Sequence, residues 1–238
     1  MGFCRSKSRV ENAVSSIIKA TGNDKVQGYT ADLGSLAAIR QLAEELRQQH
    51  PRISTLINNA GVFETQKRVS QDGFEMTWAV NVLAPFLLTG LLLDTITDRV
   101  VNVSSISAAG QIDFNNLQQE RGFSSHNSYS LSKLCSMLFT YELARRLKAA
   151  GSSVTANCLD PGTVNTKMLT AGWGPCGIEI EEADDEFSLA TDPSVAGVSG
   201  AYFVSQQKRR SPQVSYDTSV QQRLWSILEE QAGMRYSV

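Results

Sequence analysis

The stretch Arg99-Val100-Val101-Asn102-Val103, followed by Ser104-Ser105, has the apolar and β-branched composition of a buried strand that ends in polar residues. A helical pattern follows from Ser128 to Ala149, and a second strand-like run extends from Ser153 to Leu159. The same alternation continues in both directions along the chain. It predicts an α/β fold of the Rossmann type, in which helices cover both faces of a doubly wound parallel sheet.

Outside residues 99–159, the spacing of apolar residues predicts the remaining helices and strands. Helices are expected over residues 8–20, 36–46, 72–93 and 217–230 and from residue 193, and short strands at 2–4, 26–29, 54–57 and 201–204. Ser35 is placed to cap the second helix, and Pro85 is expected to bend the third. Residues 170–188 are expected to be irregular.

Length and composition predict one domain over residues 1–238, with a net charge of −2 that gives no case for binding nucleic acid. Four widely separated cysteines and two histidines predict neither disulfides nor a metal site. The longest apolar run, Val80 to Leu93, is interrupted and falls short of the roughly 20 residues that cross a bilayer. We therefore expect a cytoplasmic protein, which leaves open that a longer form associates with a membrane or an organelle.

Polar residues stand where the predicted strands end. They are Asp32, Asn58-Asn59-Ala60-Gly61, Ser104-Ser105 and Pro161-Gly162. Ligands of a doubly wound sheet bind beyond the carboxyl ends of its strands, so these residues are candidates for a binding site. Each motif alone is also typical of an ordinary turn or helix cap.

Tyr129 and Lys133 lie four residues apart in the first turns of a predicted helix, which puts both side chains on one face. A free phenol has a pKa near 10, and a neighbouring ammonium lowers that value toward the range useful for acid–base catalysis. About 0.2 such pairs are expected by chance in this composition, so the spacing alone is a weak signal. The alternative is a surface tyrosine beside a solvated lysine.

Together these motifs resemble the classical short-chain dehydrogenase/reductase family, and most of all its retinol dehydrogenase and WW-domain oxidoreductase-like branch. Asn81 in Asn-Val-Leu-Ala-Pro-Phe and the segment Asp160-Pro161-Gly162-Thr163-Val164-Asn165-Thr166 carry the resemblance further, and residues 114–120 and 138–144 narrow it to the branch. Ala84 departs from the pattern, because many members have glycine there.

The resemblance implies a reversible hydride transfer between a nicotinamide cofactor and a carbonyl. Tyr129 would be the acid/base, Lys133 its helper and ribose anchor, Ser105 the group that orients the carbonyl, and Asn81 the holder of a relay water. The implied cofactor-binding residues are Arg5, Asp32, Leu33, Asn59, Ala60, Gly61, Tyr129, Lys133, Pro161, Gly162, Val164 and Thr166.

Arg5 follows the expected strand at residues 2–4, and the resemblance places the adenosine ribose of the cofactor just after this strand. Arg5 therefore bears on the choice between NAD and NADP. An acid there would bind the ribose 2′-hydroxyl of NAD, whereas Arg5 suits the 2′-phosphate of NADP. NADP(H) is therefore favoured over NAD(H), although Arg5 alone is equally typical of a surface cation. The resemblance implies that the loop at residues 171–188 covers the substrate. Candidates to line an apolar pocket there, for a lipid-like or retinoid-type substrate, are Trp173, Pro175 and Ile178. The alternative is a solvated acidic loop with one buried tryptophan.

One family element has no counterpart in the sequence. The resemblance implies a strand, a Thr-Gly-x-x-x-Gly-x-Gly turn and a helix before Met1, and no such turn occurs in the chain. Without this unit, the strands ending at Cys4 and at Ile57 each border a gap, and we expect either that the gap closes or that the protein is unstable. The chain would then be an incomplete gene model or a shortened splice form. The alternative function is therefore a non-catalytic fragment that associates with intact subunits through the helices of Asn81 and Tyr129, and a homodimer is left open.

Overall fold

A computed structural model of the chain describes residues 1–164, 166–174 and 184–238. The strands are β1 (Gly2–Cys4), β2 (Gly28–Thr30), β3 (Ile53–Asn58), β4 (Ile96–Val103), β5 (Thr155–Asp160), β6 (Tyr202–Val204) and β7 (Gln207–Arg209). The helices are α1 (Lys7–Thr21), α2 (Leu36–Gln49), α3 (Met76–Trp78), α4 (Ala84–Leu92), α5 (Ser125–Ala149), α6 (Lys167–Trp173), α7 (Asp185–Thr191) and α8 (Thr218–Ala232).

The main sheet has the strand order β3-β4-β5-β6-β7, and all of its pairings are parallel except that of β6 with β7. Residues of β4 alternate between its two faces. Val100 joins the apolar core shared with α2, α4 and α5, while Val101 packs with Leu189 of α7 on the opposite face. The predicted α/β fold with a mostly parallel sheet flanked by helices is therefore confirmed.

The strands β1 and β2 form a separate parallel pair. Among the described strands, β1 pairs only with β2, and β3 pairs only with β4. The expected gap therefore does not close, and Ile57 of β3 remains 36% exposed at that edge. The free N–H and C=O groups of the two edges are open to pairing with another strand.

The helix expected over residues 72–93 begins later and is not regular. Glu75 caps it by accepting hydrogen bonds from the N–H groups of Thr77 and Trp78 at 2.9 and 3.0 Å. A π-helical segment, Ala79–Leu83, separates α3 from α4. The distortion thus precedes Pro85, which lies in the first turn of α4, where a missing N–H is tolerated.

Two expectations for the C-terminal third are wrong, and one strand there was not expected. The region expected to be irregular contains α6 and α7 on either side of residues 175–183, which lie outside the described residues. The helix expected from Pro193 is a single 3₁₀ turn, Pro193–Val195. The hairpin strand β7 was not predicted, since its three exposed residues show no apolar alternation.

The C-terminal helix α8 packs along α5 and also contacts α4 and the π-helical segment. Its Leu224, Trp225 and Leu228 are fully buried there. The chain then crosses α4, and the Tyr236 hydroxyl donates a hydrogen bond to the Phe86 carbonyl at 2.6 Å. The C-terminal residues therefore pack against α4 and α5. Within the described segments, no helix is long and apolar enough to span a bilayer.

Candidate active site

The carboxyl ends of β4 and β5 are joined to the helix that carries Tyr129 and Lys133. The N–H of Ser104 donates to the Leu159 carbonyl at 2.7 Å, and its Oγ donates to the Lys133 carbonyl at 2.8 Å. Both polar groups of Ser104 are thus used within the fold. Ser105, the next residue, is only partly buried, and its Oγ accepts a hydrogen bond from the N–H of Ser107 at 3.1 Å. This difference supports Ser105 as the serine available to a ligand.

Lys133 is a buried lysine, 4% exposed, and its ammonium points to the end of β4. Nζ donates to the Val103 carbonyl at 2.9 Å and lies 5.4 Å from the centre of the Tyr129 ring. Burial lowers the pKa of Lys133 to about 8, while the carboxylates of Asp160 and Glu186 act in the opposite direction. An ammonium has three N–H donors, and the described residues offer this one a single acceptor. Nζ can therefore bind further oxygens.

Tyr129 is almost fully buried, and the expectation of a lowered pKa is wrong for this structure. Burial raises the pKa of Tyr129 to about 12, and the nearby hydroxyl of Ser105 only partly offsets the effect. The nearby charge of Asp160 raises it further. The phenol is therefore protonated at pH 7, so its O–H is present as a hydrogen-bond donor.

The side chain of Asn81 is fully engaged with the protein. Its Oδ1 accepts from the N–H of Val62 at 2.8 Å, and its Nδ2 donates to the Val62 carbonyl at 2.9 Å and to Ser132 Oγ at 3.1 Å. Pro85 stands four residues later and has no N–H, so the regular α-helical bond to the Asn81 carbonyl cannot form. Asn81 lies in the π-helical segment, a distortion that is frequent at functional sites.

A buried chain of polar side chains lies behind the site. Asn58 Nδ2 donates to Asn102 Oδ1 at 2.8 Å, and Asn102 Nδ2 donates to Thr140 Oγ1 at 2.9 Å. These bonds link β3, β4 and α5. The sequence singled out Asn58, but not the partners Asn102 and Thr140, because residues on different elements carry no local signal for their pairing.

Aromatic side chains surround the Tyr129 ring. Phe63 and Trp173 lie with ring centres 5.6 and 5.5 Å from it, and His126 lies 5.1 Å from Phe63 and 5.2 Å from Trp173. Trp173 ends α6 and is 42% exposed. The sequence identified Trp173 but gave no reason to select Phe63 or His126. Pro175 and Ile178, the other candidates, lie outside the described residues.

The remaining candidate residues occupy the ends of several strands. Arg5 and Asp32 are exposed just after β1 and β2, and Asp32 Oδ1 accepts from the N–H of Gly34 at 2.9 Å. Asn59, Ala60 and Gly61 follow β3, and Leu33 follows Asp32. Pro161 and Val164 are partly buried beyond β5, and Thr166 Oγ1 caps α6 by accepting from the N–H of Leu169 at 3.2 Å.

The side chains around Lys133 fit the nicotinamide ribose of a dinucleotide cofactor. Lys133 keeps N–H donors for ribose hydroxyls, and Gly162 has a φ of 76° with open space on the side where a Cβ would lie. No glycine-rich phosphate loop occurs in the sequence. The fit therefore concerns the nicotinamide half of the cofactor.

Comparisons with known proteins agree with this site. The model of the short chain dehydrogenase family matches residues 2–173. Human polyprenol dehydrogenase is 37% identical over 248 residues, which cover 95% of this chain and 75% of that protein. Mouse retinol dehydrogenase 14 is 37% identical over 260 residues, which cover 97% and 77%.

Solved structures show the same fold. An uncharacterised protein from Mycobacterium paratuberculosis is 28% identical, with a TM-score of 0.81 over 99% of this chain and 84% of that chain. A blue fluorescent protein from a metagenomic library, in complex with NADPH, is 27% identical, with a TM-score of 0.63 over 85% and 84%. The chain belongs to the short-chain dehydrogenase family, in its retinol dehydrogenase-like branch, and is an oxidoreductase that acts on carbonyls or alcohols with a nicotinamide cofactor.

Proposed function

We propose that this chain reduces lipid-like carbonyls with NADPH, reversibly, at a site formed by Tyr129, Lys133, Ser105 and Asn81. The observation that carries the proposal is the buried phenol of Tyr129, whose ring centre lies 5.4 Å from the buried ammonium of Lys133. The bound cofactor supplies the hydride. The protein supplies the proton and holds the carbonyl.

The four residues have different roles in this proposal. Tyr129 Oη donates its proton to the carbonyl oxygen as the alcohol forms, and Ser105 Oγ donates a hydrogen bond to the same oxygen. Lys133 Nζ binds the ribose and favours the phenolate that Tyr129 becomes. The backbone carbonyl of Asn81 does not receive the regular helical hydrogen bond, because Pro85 has no N–H. In this proposal that carbonyl holds the water through which a proton returns to Tyr129.

The preference for NADP(H) rests on Arg5. Its exposed guanidinium follows β1 directly, and guanidinium groups bind phosphate in a bidentate manner. The complex of a similar structure with NADPH is consistent with this choice. The further residues proposed to contact the cofactor are Asp32, Leu33, Asn59, Ala60, Gly61, Pro161, Gly162, Val164 and Thr166.

The lipid-like substrate is inferred from the aromatic rings around Tyr129. Phe63 and Trp173 present apolar surfaces next to the phenol that would donate the proton, and apolar walls of this kind bind hydrocarbon better than small polar aldehydes. The relatives named as retinol and polyprenol dehydrogenases act, by their names, on long apolar alcohols.

The test is an assay of NADPH consumption by the purified chain, with retinal, a long prenyl aldehyde and a short aliphatic aldehyde compared at equal concentration. We expect turnover of the long aldehydes, faster with NADPH than with NADH, and loss of that preference in Arg5→Glu. Equal rates with all aldehydes would refute the substrate class. Equal use of both cofactors would refute the role of Arg5.

A second candidate function is a non-catalytic chain, and the observation that favours it is the separation of β1–β2 from the main sheet. Fluorescence titration of the 238-residue chain with NADPH distinguishes the two candidates. Micromolar binding supports the enzyme, and no binding supports the non-catalytic chain. The second candidate would act by association with intact subunits through the helices of Asn81 and Tyr129.

A further inference from the structure

Ser104 is the first residue after β4 and is only 1% exposed. Its N–H donates to the carbonyl of Leu159 in β5 at 2.7 Å, and its Oγ donates to the carbonyl of Lys133 in α5 at 2.8 Å. The residue therefore joins the ends of two neighbouring strands to the helix that carries Tyr129 and Lys133. Ser105, the residue proposed to orient the substrate carbonyl, follows it directly in the chain.

Lys133 is held at the end of β4 by both its backbone and its ammonium group. Its carbonyl accepts from Ser104 Oγ, and its Nζ donates to the Val103 carbonyl at 2.9 Å. A backbone carbonyl has two lone pairs, so that of Lys133 can accept this bond in addition to the regular bond of the helix. Because Val103 and Ser104 are consecutive, the root and the tip of one buried side chain are fixed to adjacent points of the same strand end.

A second hydrogen bond joins the same strand to the same helix. Asn102 Nδ2 donates to Thr140 Oγ1 at 2.9 Å. Asn102 and Ser104 lie two residues apart, as neighbours on one face of a strand do, and Lys133 and Thr140 lie about two helical turns apart. The two bonds therefore hold α5 on β4 at two points, and only the bond from Ser104 ends on a residue of the candidate active site.

We propose that Ser104 is a positioning residue. Through its bond to the Lys133 carbonyl, it holds the Lys133 ammonium at the Val103 carbonyl and fixes its place relative to Ser105. The consequence for turnover rests on the proposed function. The order of the Lys133 side chain does not, since it depends only on hydrogen bonds within this chain.

A hydroxyl that only stabilised the contact between β4 and α5 would act in the same way as that of Thr140. Ser104→Ala and Thr140→Val each remove one buried hydroxyl from this contact. Both variants should unfold at a lower denaturant concentration than the wild type. Only Ser104→Ala should change the Lys133 side chain, so Thr140→Val is the matched control for a loss of stability alone.

The direct test measures the order of the Lys133 side chain by carbon-13 NMR relaxation, in protein labelled at the lysine ε carbons and without cofactor or substrate. The Lys133 signal is assigned by its loss in Lys133→Met, and Lys148 of α5 is the internal reference for an exposed side chain. In the wild type and in Thr140→Val, the ε carbon of Lys133 should be much more ordered than that of Lys148. In Ser104→Ala, we expect this difference to be lost.

Turnover of a long-chain aldehyde with NADPH is the second readout. The kcat of Ser104→Ala should fall by about tenfold or more, because a displacement of about 1 Å within a catalytic site can cost about a hundredfold in rate. The KM for the aldehyde should change little, since Phe63 and Trp173 are not altered. Ser104→Thr keeps the hydroxyl and should retain both the order of Lys133 and most of the kcat.

Wild-type order of Lys133 in folded Ser104→Ala would overturn the proposal, and so would an equal loss of order in Thr140→Val. If Ser104→Ala does not fold, Ser104→Cys decides, because a thiol fills the same place but is only a weak hydrogen-bond donor. The order of Lys133 should fall in that variant too, and an unchanged order there would overturn the proposal. Because the relaxation measurement needs no turnover, a chain without oxidoreductase activity would refute the proposed function and leave this result intact.

Discussion

Asn81 and Ser132 are joined by a hydrogen bond of 3.1 Å from Nδ2 to Oγ, which ties the π-helical segment to the helix of Tyr129 and Lys133. Ser132 Oγ in turn donates to the Tyr129 carbonyl at 2.7 Å. The backbone of Val62, the side chains of Asn81 and Ser132, and the backbone of Tyr129 thus form one continuous path. Ser132 lies between Tyr129 and Lys133 in the sequence, which gave it no predicted role. Its hydroxyl connects the π-helical segment to the helix of these two residues.

Replacement of Ser132 by alanine should destabilise the protein. The change removes the bond to the Tyr129 carbonyl and leaves a buried Asn81 N–H with one partner fewer, at a cost of about 1–3 kcal/mol. Chemical denaturation measures it. Ser130→Ala is the matched control, since no hydrogen bond of its hydroxyl occurs in the described residues of the structure. Equal losses in the two variants would refute the role of Ser132.

Lys133→Met should raise the free energy of unfolding at pH 7, because it removes a buried ammonium. The pKa of Lys133 is about 8 in the folded protein, compared with the ordinary value of 10.5. Between pH 8 and pH 10.5 the unfolded chain therefore binds more protons at Lys133 than the folded chain does. For this reason the free energy of unfolding of the wild type increases as the pH rises through that range. The advantage of Lys133→Met should therefore shrink by about 1–3 kcal/mol between pH 8 and pH 10.

Denaturation at several pH values measures this difference between the two proteins. The buried thiols of Cys135 and Cys158, whose pKa values burial raises, are present in both and cancel. Exposed Lys148→Met is the control and should show no such trend. A difference between wild type and Lys133→Met that does not vary with pH would contradict the assignment.

Gly90→Ala should destabilise the protein, although alanine is the better helix former by about 1 kcal/mol. A Cβ at Gly90 would lie 2.6 Å from the Tyr236 ring and against the end of Met234, which pack over α4. Overpacking of this kind costs about 1–3 kcal/mol. Gly110→Ala, where a Cβ meets no atom within 4 Å, is the control for thermal unfolding. A stabilised Gly90→Ala would show that the C-terminal residues do not pack on α4.

Trp173→Ala should raise the KM for a long-chain aldehyde by about tenfold or more, which corresponds to about 1.4 kcal/mol of lost apolar contact. The KM for a short aldehyde should change much less, since that substrate does not reach the indole. Phe187→Ala provides the control, because this aromatic residue on α7 is 70% exposed. A similar change for both aldehydes would argue against an apolar wall at Trp173.

Much of the fold is predictable from local patterns. Ser35 caps α2 by accepting from the N–H of Ala38 at 3.2 Å, and Ile39, Leu42 and Leu46 are buried as their spacing predicts. The short helices α6 and α7 were missed because their few turns lack a clear apolar stripe. The π-helical segment was missed because all five of its residues, including Asn81, are buried, so the segment shows no alternation of buried and exposed positions.

The candidate site was predictable where one element carries it. Tyr129 and Lys133 share a helix, so their spacing places them together. The burial that raises the pKa of Tyr129 comes from tertiary packing, including the rings of Phe63 and Trp173. The spacing therefore predicted that the two side chains lie together, but the pKa of the phenol is raised where a lowered value was expected. No local pattern in the sequence indicates the contact between Asp160 and Ile106, because it joins the ends of two strands far apart in the chain.

The most direct test of the central claim compares the wild-type chain with Tyr129→Phe in two measurements, NADPH binding by fluorescence titration and turnover of a long-chain aldehyde. Phenylalanine keeps the ring that packs against Phe63 and Trp173 but removes the hydroxyl that donates the proton. We predict that NADPH binds both proteins with similar affinity, while turnover in Tyr129→Phe falls by about a hundredfold or more. Undiminished turnover in Tyr129→Phe would contradict the assignment of this site.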